Sequence, residues 1–228
     1  MLYMPFDIMY VVLVIPAFIF SLWAQYKVTS TFKKYSSQTT RNGLTGANAA
    51  QEVLRQAGVQ NVQIVRVSGD LTDHFDPRTN TISLSGNVCD VPSVAAVGVA
   101  AHEAGHAVQY ANSYGPMKFR AAIIPITNIG SKISVPLIIL GIILGFTGLI
   151  NIGILLFGLL VVFQLVTLPV EFNASNRAIA ALGQSGALTK DELPAARKVL
   201  TAAGLTYVGA LAVSLAQLLR FITIAGRR

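Results

Sequence analysis

The residues best equipped for chemistry sit together in positions 101–110, A-H-E-A-G-H-A-V-Q-Y, where His102, Glu103 and His106 form an H-E-x-x-H pattern. On a helix, positions i and i+4 share one face, so both imidazoles converge on one point with Glu103 beside them. Two neutral imidazoles suit Zn2+, which in catalytic sites takes three protein ligands and one water. A neighbouring carboxylate can accept that water's proton, so the chemistry on offer is metal-assisted hydrolysis. The chain has only three histidines, and two of them are here. Buried without a metal, these groups would need other partners. The spacing works only on a helix; residues 93–111 hold no proline, and Pro92 and Pro116 flank them.

The rest of the chain must position this motif, and its composition says in what solvent. The 228 residues are 53% hydrophobic and 12% charged, with a mean hydropathy of +0.60. Soluble domains carry about 25% charge, so the chain reads as a multi-pass membrane protein with one modest domain outside the bilayer. The net charge of +7 is spread over segments flanking apolar runs. It therefore signals topology and contact with a lipid surface. No arginine-rich helix or aromatic–basic alternation supports nucleic-acid binding, and that class is excluded. The single cysteine, Cys89, excludes an intramolecular disulfide.

Residues 1–26 read as a retained N-terminal transmembrane anchor, since no basic n-region precedes the apolar run and no small-x-small cleavage site follows it. Tyr3, Phe6 and Tyr10 lead into the run, Trp23 and Tyr26 close it, and only Asp7 is charged before it. Lys27, Lys33, Lys34 and Arg41 follow, which puts the next region, residues 27–132, on the cytoplasmic face.

That region is expected to be a small α+β, zincin-like catalytic domain. Thr45 caps a helix to about Ala57, with Ala49, Ala50, Val53 and Leu54 as its apolar side and Gly58 as its stop. Residues 62–67 and 81–84 alternate as half-buried strands that pair across the loop between them. In zinc proteases a helix, two strands and the motif helix follow in this order, and a strand edge near the metal holds extended substrate. The loop carries L-T-D-H-F-D-P at 71–77 and the third histidine, His74. Either His74 or Asp76 serves the site as an oxyanion or substrate contact, or the Asp-Pro pair makes a turn bonded to its own backbone.

Beyond the motif, residues 118–130 are apolar, broken by Pro125, and read as interfacial. Residues 133–168 carry no charge and fit a transmembrane hairpin turning near Gly145, Gly148 and Asn151. A hairpin returns to the side it left, so Glu171 is delivered to the face that holds the motif. Asp191 and Glu192 are accounted for by the capping box Thr189-Lys-Asp-Glu192. Glu171 instead opens an alanine-rich stretch at the end of a span, where an unpaired carboxylate would be costly. It reads as the third metal ligand, in preference to an acid favoured by a helix dipole. Residues 169–204 thus form the third-ligand helix and a following helix ending at Gly204. Residues 205–228 form a fourth, transmembrane or interfacial helix, which makes the fold mainly α with about four transmembrane helices.

With these residues in hand, the chain resembles the YugP-type neutral zinc metallopeptidases of bacteria along nearly its whole length. The resemblance rests on Leu44-Thr-Gly, the loop at 71–77, A-A-H-E-A-G-H at 100–106 and L-P-V-E-F-N-A-S at 168–175. It implies a zinc metallopeptidase acting on proteins or peptides. The last stretch is also similar to the glutamate motif of membrane proteases related to the CAAX prenyl protease and the heat-shock protease of bacterial inner membranes. Those carry an aspartate four residues after the ligand, orienting a zinc histidine, where this chain has Ser175. The orienting role falls to Asn173, Ser175 or Asp76.

The expected reading is a peptidase of the cell membrane, active on or near the cytoplasmic face, in which His102, His106 and Glu171 hold zinc. Glu103 is the general base, and His74 or a tyrosine stabilises the oxyanion. A site-2-type intramembrane protease would need an L-D-G motif, which the chain lacks. A non-catalytic zinc-binding scaffold would have no use for Glu103.

Overall fold

A computed structural model describes residues 8–70 and 72–226. Tyr3, Phe6 and Asp7 of the anchor, Leu71 of the polar loop, and Arg227 and Arg228 lie outside the described residues. In chain order the elements begin with α1 (Ile15–Ser36), α2 (Gly46–Gln56), β1 (Gln63–Val67), β2 (His74–Asp76) and β3 (Thr81–Ser85). They continue with α3 (Gly86–Cys89), α4 (Val94–Ala111), α5 (Gly115–Leu144), α6 (Thr147–Gln184) and α7 (Glu192–Gly226).

Hydrophobic length decides the long elements. The stretch Tyr10–Ser36 and helices α5, α6 and α7 run for 27, 30, 38 and 35 residues and are apolar enough to cross a membrane. A crossing takes about 20 residues. The turn between α5 and α6 falls at Gly145, whose φ of +64° is one that glycine adopts without a steric penalty.

Three expected breaks do not occur. Pro125 and Pro136 lie inside α5 and Pro169 inside α6, so residues 118–130 are not a separate interfacial segment and Glu171 does not open a new helix. In apolar surroundings the backbone has no water to bond, so a helix that omits one hydrogen bond is favoured over one that ends. Gly204 likewise does not end a helix but lies within α7. A Cβ there would stand 2.7 Å from Cε1 of Phe172, so this glycine serves close packing.

The chain forms two compact units. One comprises the described part through Gln25, Phe119–Leu168 and the chain from Thr206. Inside it α5 and α6 pack tightly, since a Cβ on Gly153 would lie 2.7 Å from the Ser134 carbonyl oxygen. Ile138, Ile150, Phe157, Val161 and Phe221 form its buried cluster.

The other unit comprises Tyr26–Lys118 and Pro169–Leu205. Thr45 caps α2 by accepting from the Asn48 N–H at 3.4 Å. Ala49, Ala50, Val53 and Leu54 are buried as the apolar period requires, and Gly58 follows the helix at φ +65°. The expected strands pair, but in parallel, with Gln63 opposite Thr81. The loop between them makes this possible by contributing β2, which lies antiparallel on β3 with His74 opposite Ser83. The sheet order is therefore β1-β3-β2, with β2 at an edge. Asp73 holds the loop to the end of β3 by accepting from the Ser85 N–H at 2.8 Å.

Helix α4 is buried on most of its surface, which its alanines permit; Val94, Val97, Ala100, Ala101 and Ala104 are fully buried. It meets α6 closely, since a Cβ on Gly105 would collide with the Ala174 carbonyl oxygen. The glycine inside the H-E-x-x-H pattern is thus what lets the two helices meet. Overpacking such a contact costs about 1–3 kcal/mol. Gly105→Ala should therefore lower the melting temperature in detergent, and a variant as stable as the native chain would contradict the crossing.

Candidate metal centre

Ser93 starts the motif helix by accepting from the Ala96 N–H at 3.2 Å, and α4 then runs unbroken through the motif. The i, i+4 spacing puts the two imidazoles edge to face, with ring centres 4.6 Å apart. α6 brings Glu171 beneath them. Its Oε2 lies 3.2 Å from His102 Nε2 and 3.5 Å from His106 Nε2. One donor atom from each of His102, His106 and Glu171 lies within 4.8 Å of the others, and Glu171 is buried.

The other ring nitrogens are occupied. His102 Nδ1 is 3.0 Å from Ser175 Oγ, and His106 Nδ1 is 3.0 Å from Gln109 Oε1. Both Nε2 atoms are thereby turned toward one carboxylate oxygen. Two nitrogens and an oxygen converging in a buried site, with the remaining ring nitrogens held, form a donor set that fits zinc.

Electrostatics act in the same sense. Burial opposes charge on His106, but the hydrogen bond to Glu171 and the charges of Glu103 and Glu171 outweigh it. Its pKa is raised above the ordinary 6.5. Glu103 follows His102 directly on α4 and is half-buried.

The polar loop resolves into separate roles. Asp76 accepts from the Arg78 N–H at 2.9 Å, which lowers its pKa and makes it a turn residue. His74 is exposed, and its Nδ1 lies 2.7 Å from the Thr72 carbonyl oxygen. It is not among the three converging donors. Strand β2 nevertheless borders the motif helix, since Phe75 packs on Tyr110 with ring centres 5.9 Å apart.

Of the three residues considered for orienting a histidine, Ser175 contacts His102 directly. Asn173 acts one step away, accepting from Gln109 Nε2 at 3.0 Å. From the sequence alone, Gln109 is assigned no role. Its signal was its position three residues after His106, on the same helix face.

A sequence profile of the family described as "Putative neutral zinc metallopeptidase" matches residues 10–226. The chain belongs to this family. It is also 44% identical over 216 residues to "Putative membrane protease YugP" of Bacillus subtilis (strain 168), spanning 95% of this chain and 96% of that protein. No solved structure matches the chain significantly. A neutral zinc metallopeptidase family implies zinc, in keeping with the donor set.

The raised pKa of His106 has opposite consequences without and with metal. In the metal-free protein the protonated ring paired with Glu171 adds stability. That contribution is full below about pH 6.5 and is lost as pH rises through the raised value. Zinc takes only the neutral ring, so protons and metal compete. On acidification, zinc affinity should begin to fall while the pH is still above 6.5, then by about tenfold per pH unit for each proton displaced. Chelator competition measured across pH checks this; an onset well below 6.5 would contradict it.

Proposed function

We propose that this chain is a membrane-bound zinc metallopeptidase that hydrolyses peptide bonds of proteins or peptides at the membrane surface. The observation that carries the reading is the convergence of His102, His106 and Glu171 beside Glu103. His102, His106 and Glu171 are the metal ligands. Zinc held there supplies Lewis acidity and lowers the pKa of water toward neutrality. Glu103 takes the proton from the attacking water and passes it to the leaving amine. A nearby donor such as His74 or a tyrosine stabilises the developing oxyanion. Substrate lies extended along β2, whose position at the sheet edge beside α4 supports strand addition.

The same reading assigns residues 27–118 and 169–204 to a zincin-like region on the cytoplasmic face; residues 119–132, expected with that region, lie within the apolar helix α5 and go with the membrane part. Residues 1–26, 119–168 and 205–228 are the membrane part. The lysines and arginines at 27, 33, 34, 41 and 118, with Arg177, support that orientation by the positive-inside rule.

The test compares zinc content and cleavage of an unfolded protein, in detergent, for the native chain, Glu103→Gln and His74→Ala. All three should hold equal zinc. Cleavage by Glu103→Gln should fall by about 100- to 10,000-fold, the usual contribution of a general base. A smaller loss is expected for His74→Ala. Normal cleavage by Glu103→Gln would overturn the assignment of the base.

A further inference from the structure

Behind His106 runs a chain of hydrogen bonds that the peptidase reading does not use. Arg177 Nε donates to Asn173 Oδ1 at 2.7 Å. The same oxygen accepts from Gln109 Nε2 at 3.0 Å, and Gln109 Nε2 also donates to the Val170 carbonyl at 2.7 Å. Gln109 Oε1 faces His106 Nδ1 at 3.0 Å. Gln109 is fully buried, and the Arg177 guanidinium lies over the Tyr114 ring at 5.8 Å.

The direction of this chain is fixed at both ends. A guanidinium only donates, so Asn173 must present its oxygen to Arg177. A backbone carbonyl only accepts, so Gln109 must present its nitrogen to Val170. Turning the Gln109 amide over would set its oxygen against two acceptors, a buried arrangement that leaves all three unsatisfied. Oε1 is therefore the atom left for His106, and it can only accept. His106 must carry a proton on Nδ1, and in the neutral ring the Nε2 lone pair is left for a metal ion shared with Glu171. His102 has no such constraint, because the Ser175 hydroxyl can donate or accept.

We infer that Arg177, Asn173 and Gln109 are positioning residues, a hydrogen-bond relay of fixed direction that holds His106 ready to bind the metal while His102 is left adjustable. The inference rests on the zinc reading above. Metal affinity then depends on residues that never touch the metal. Losing a partner of this kind typically weakens metal binding by about 10- to 100-fold.

The relay makes a demand that packing alone does not. Both neighbours of Asn173 Oδ1 donate, so a carboxylate can replace that amide. Gln109 must donate as well as accept, so a carboxylate cannot replace it.

The experiment measures zinc affinity by chelator competition for the purified full chain in detergent. It compares the native chain with Gln109→Leu, Gln109→Glu, Asn173→Leu, Asn173→Asp and Ser175→Ala. Melting of the metal-free forms reports on folding. Gln109→Leu and Asn173→Leu should each bind zinc at least about tenfold more weakly. Asn173→Asp should recover most of the loss seen in Asn173→Leu, Gln109→Glu should recover little, and Ser175→Ala should lose less than Gln109→Leu. If a Gln109 variant fails to fold, Arg177→Met removes the donor at the half-exposed end and should weaken zinc in the same sense.

Undiminished affinity in the two leucine variants, or in Arg177→Met, would overturn the relay while leaving the metal centre standing. Equal recovery by Asn173→Asp and Gln109→Glu would do the same. A native chain that binds no zinc would overturn the metal reading itself and this inference with it.

Discussion

Everything at the candidate centre depends on how closely α4 and α6 approach. The two histidines come with the helix, by spacing alone, but the third donor comes from a distant part of the sequence. It reaches them because Gly105 leaves room for the α6 backbone at Ala174. One turn before Ala174 stands Glu171, and one residue after it stands Ser175. The same crossing that puts a carboxylate under both Nε2 atoms therefore puts a hydroxyl on the far side of the His102 ring. Buried alanines on both helices, among them Ala101, Ala104, Ala174 and Ala178, keep that approach free of bulk.

Burial turns this geometry into chemistry. Glu171 is almost completely enclosed, and Gln109 and Val170 have no exposed surface. An isolated carboxylate in such a place is unfavourable by several kcal/mol, and a cation shared with two imidazoles compensates for it. In the metal-free chain a proton on His106 partly plays that part, which is the origin of its raised pKa. Zinc held there would do so more completely, because it would satisfy both rings and the carboxylate together.

The sequence made some of this legible and hid the rest for physical reasons. The i, i+4 histidines are a local pattern, and a helix converts spacing into direction without help from the fold. Glu171 could be reached by asking which acid lacked another occupation, since charges in apolar chains are few. The α2 cap at Thr45 and its stop at Gly58 are local in the same way. Other features are not. Pro125, Pro169 and Gly204 break helices in water, but here the first two lie within apolar runs and the third packs against Phe172. The parallel pairing of β1 with β3 depends on where the intervening loop turns, which no alternation pattern records. Gln109 and the glycine of the motif matter only through α6, so their roles appear once that helix is in place.

The central claim is that one buried site, built from two histidines of α4 and one glutamate of α6, holds a single zinc ion. X-ray absorption spectroscopy of the zinc-loaded chain in detergent tests it most directly, because imidazole, carboxylate and thiolate ligands scatter differently. The account predicts one zinc per chain, two imidazole ligands, oxygen completing the shell and no sulfur, with the spectrum unchanged in His74→Ala. A third imidazole that disappears in His74→Ala, or a sulfur from Cys89, would contradict it.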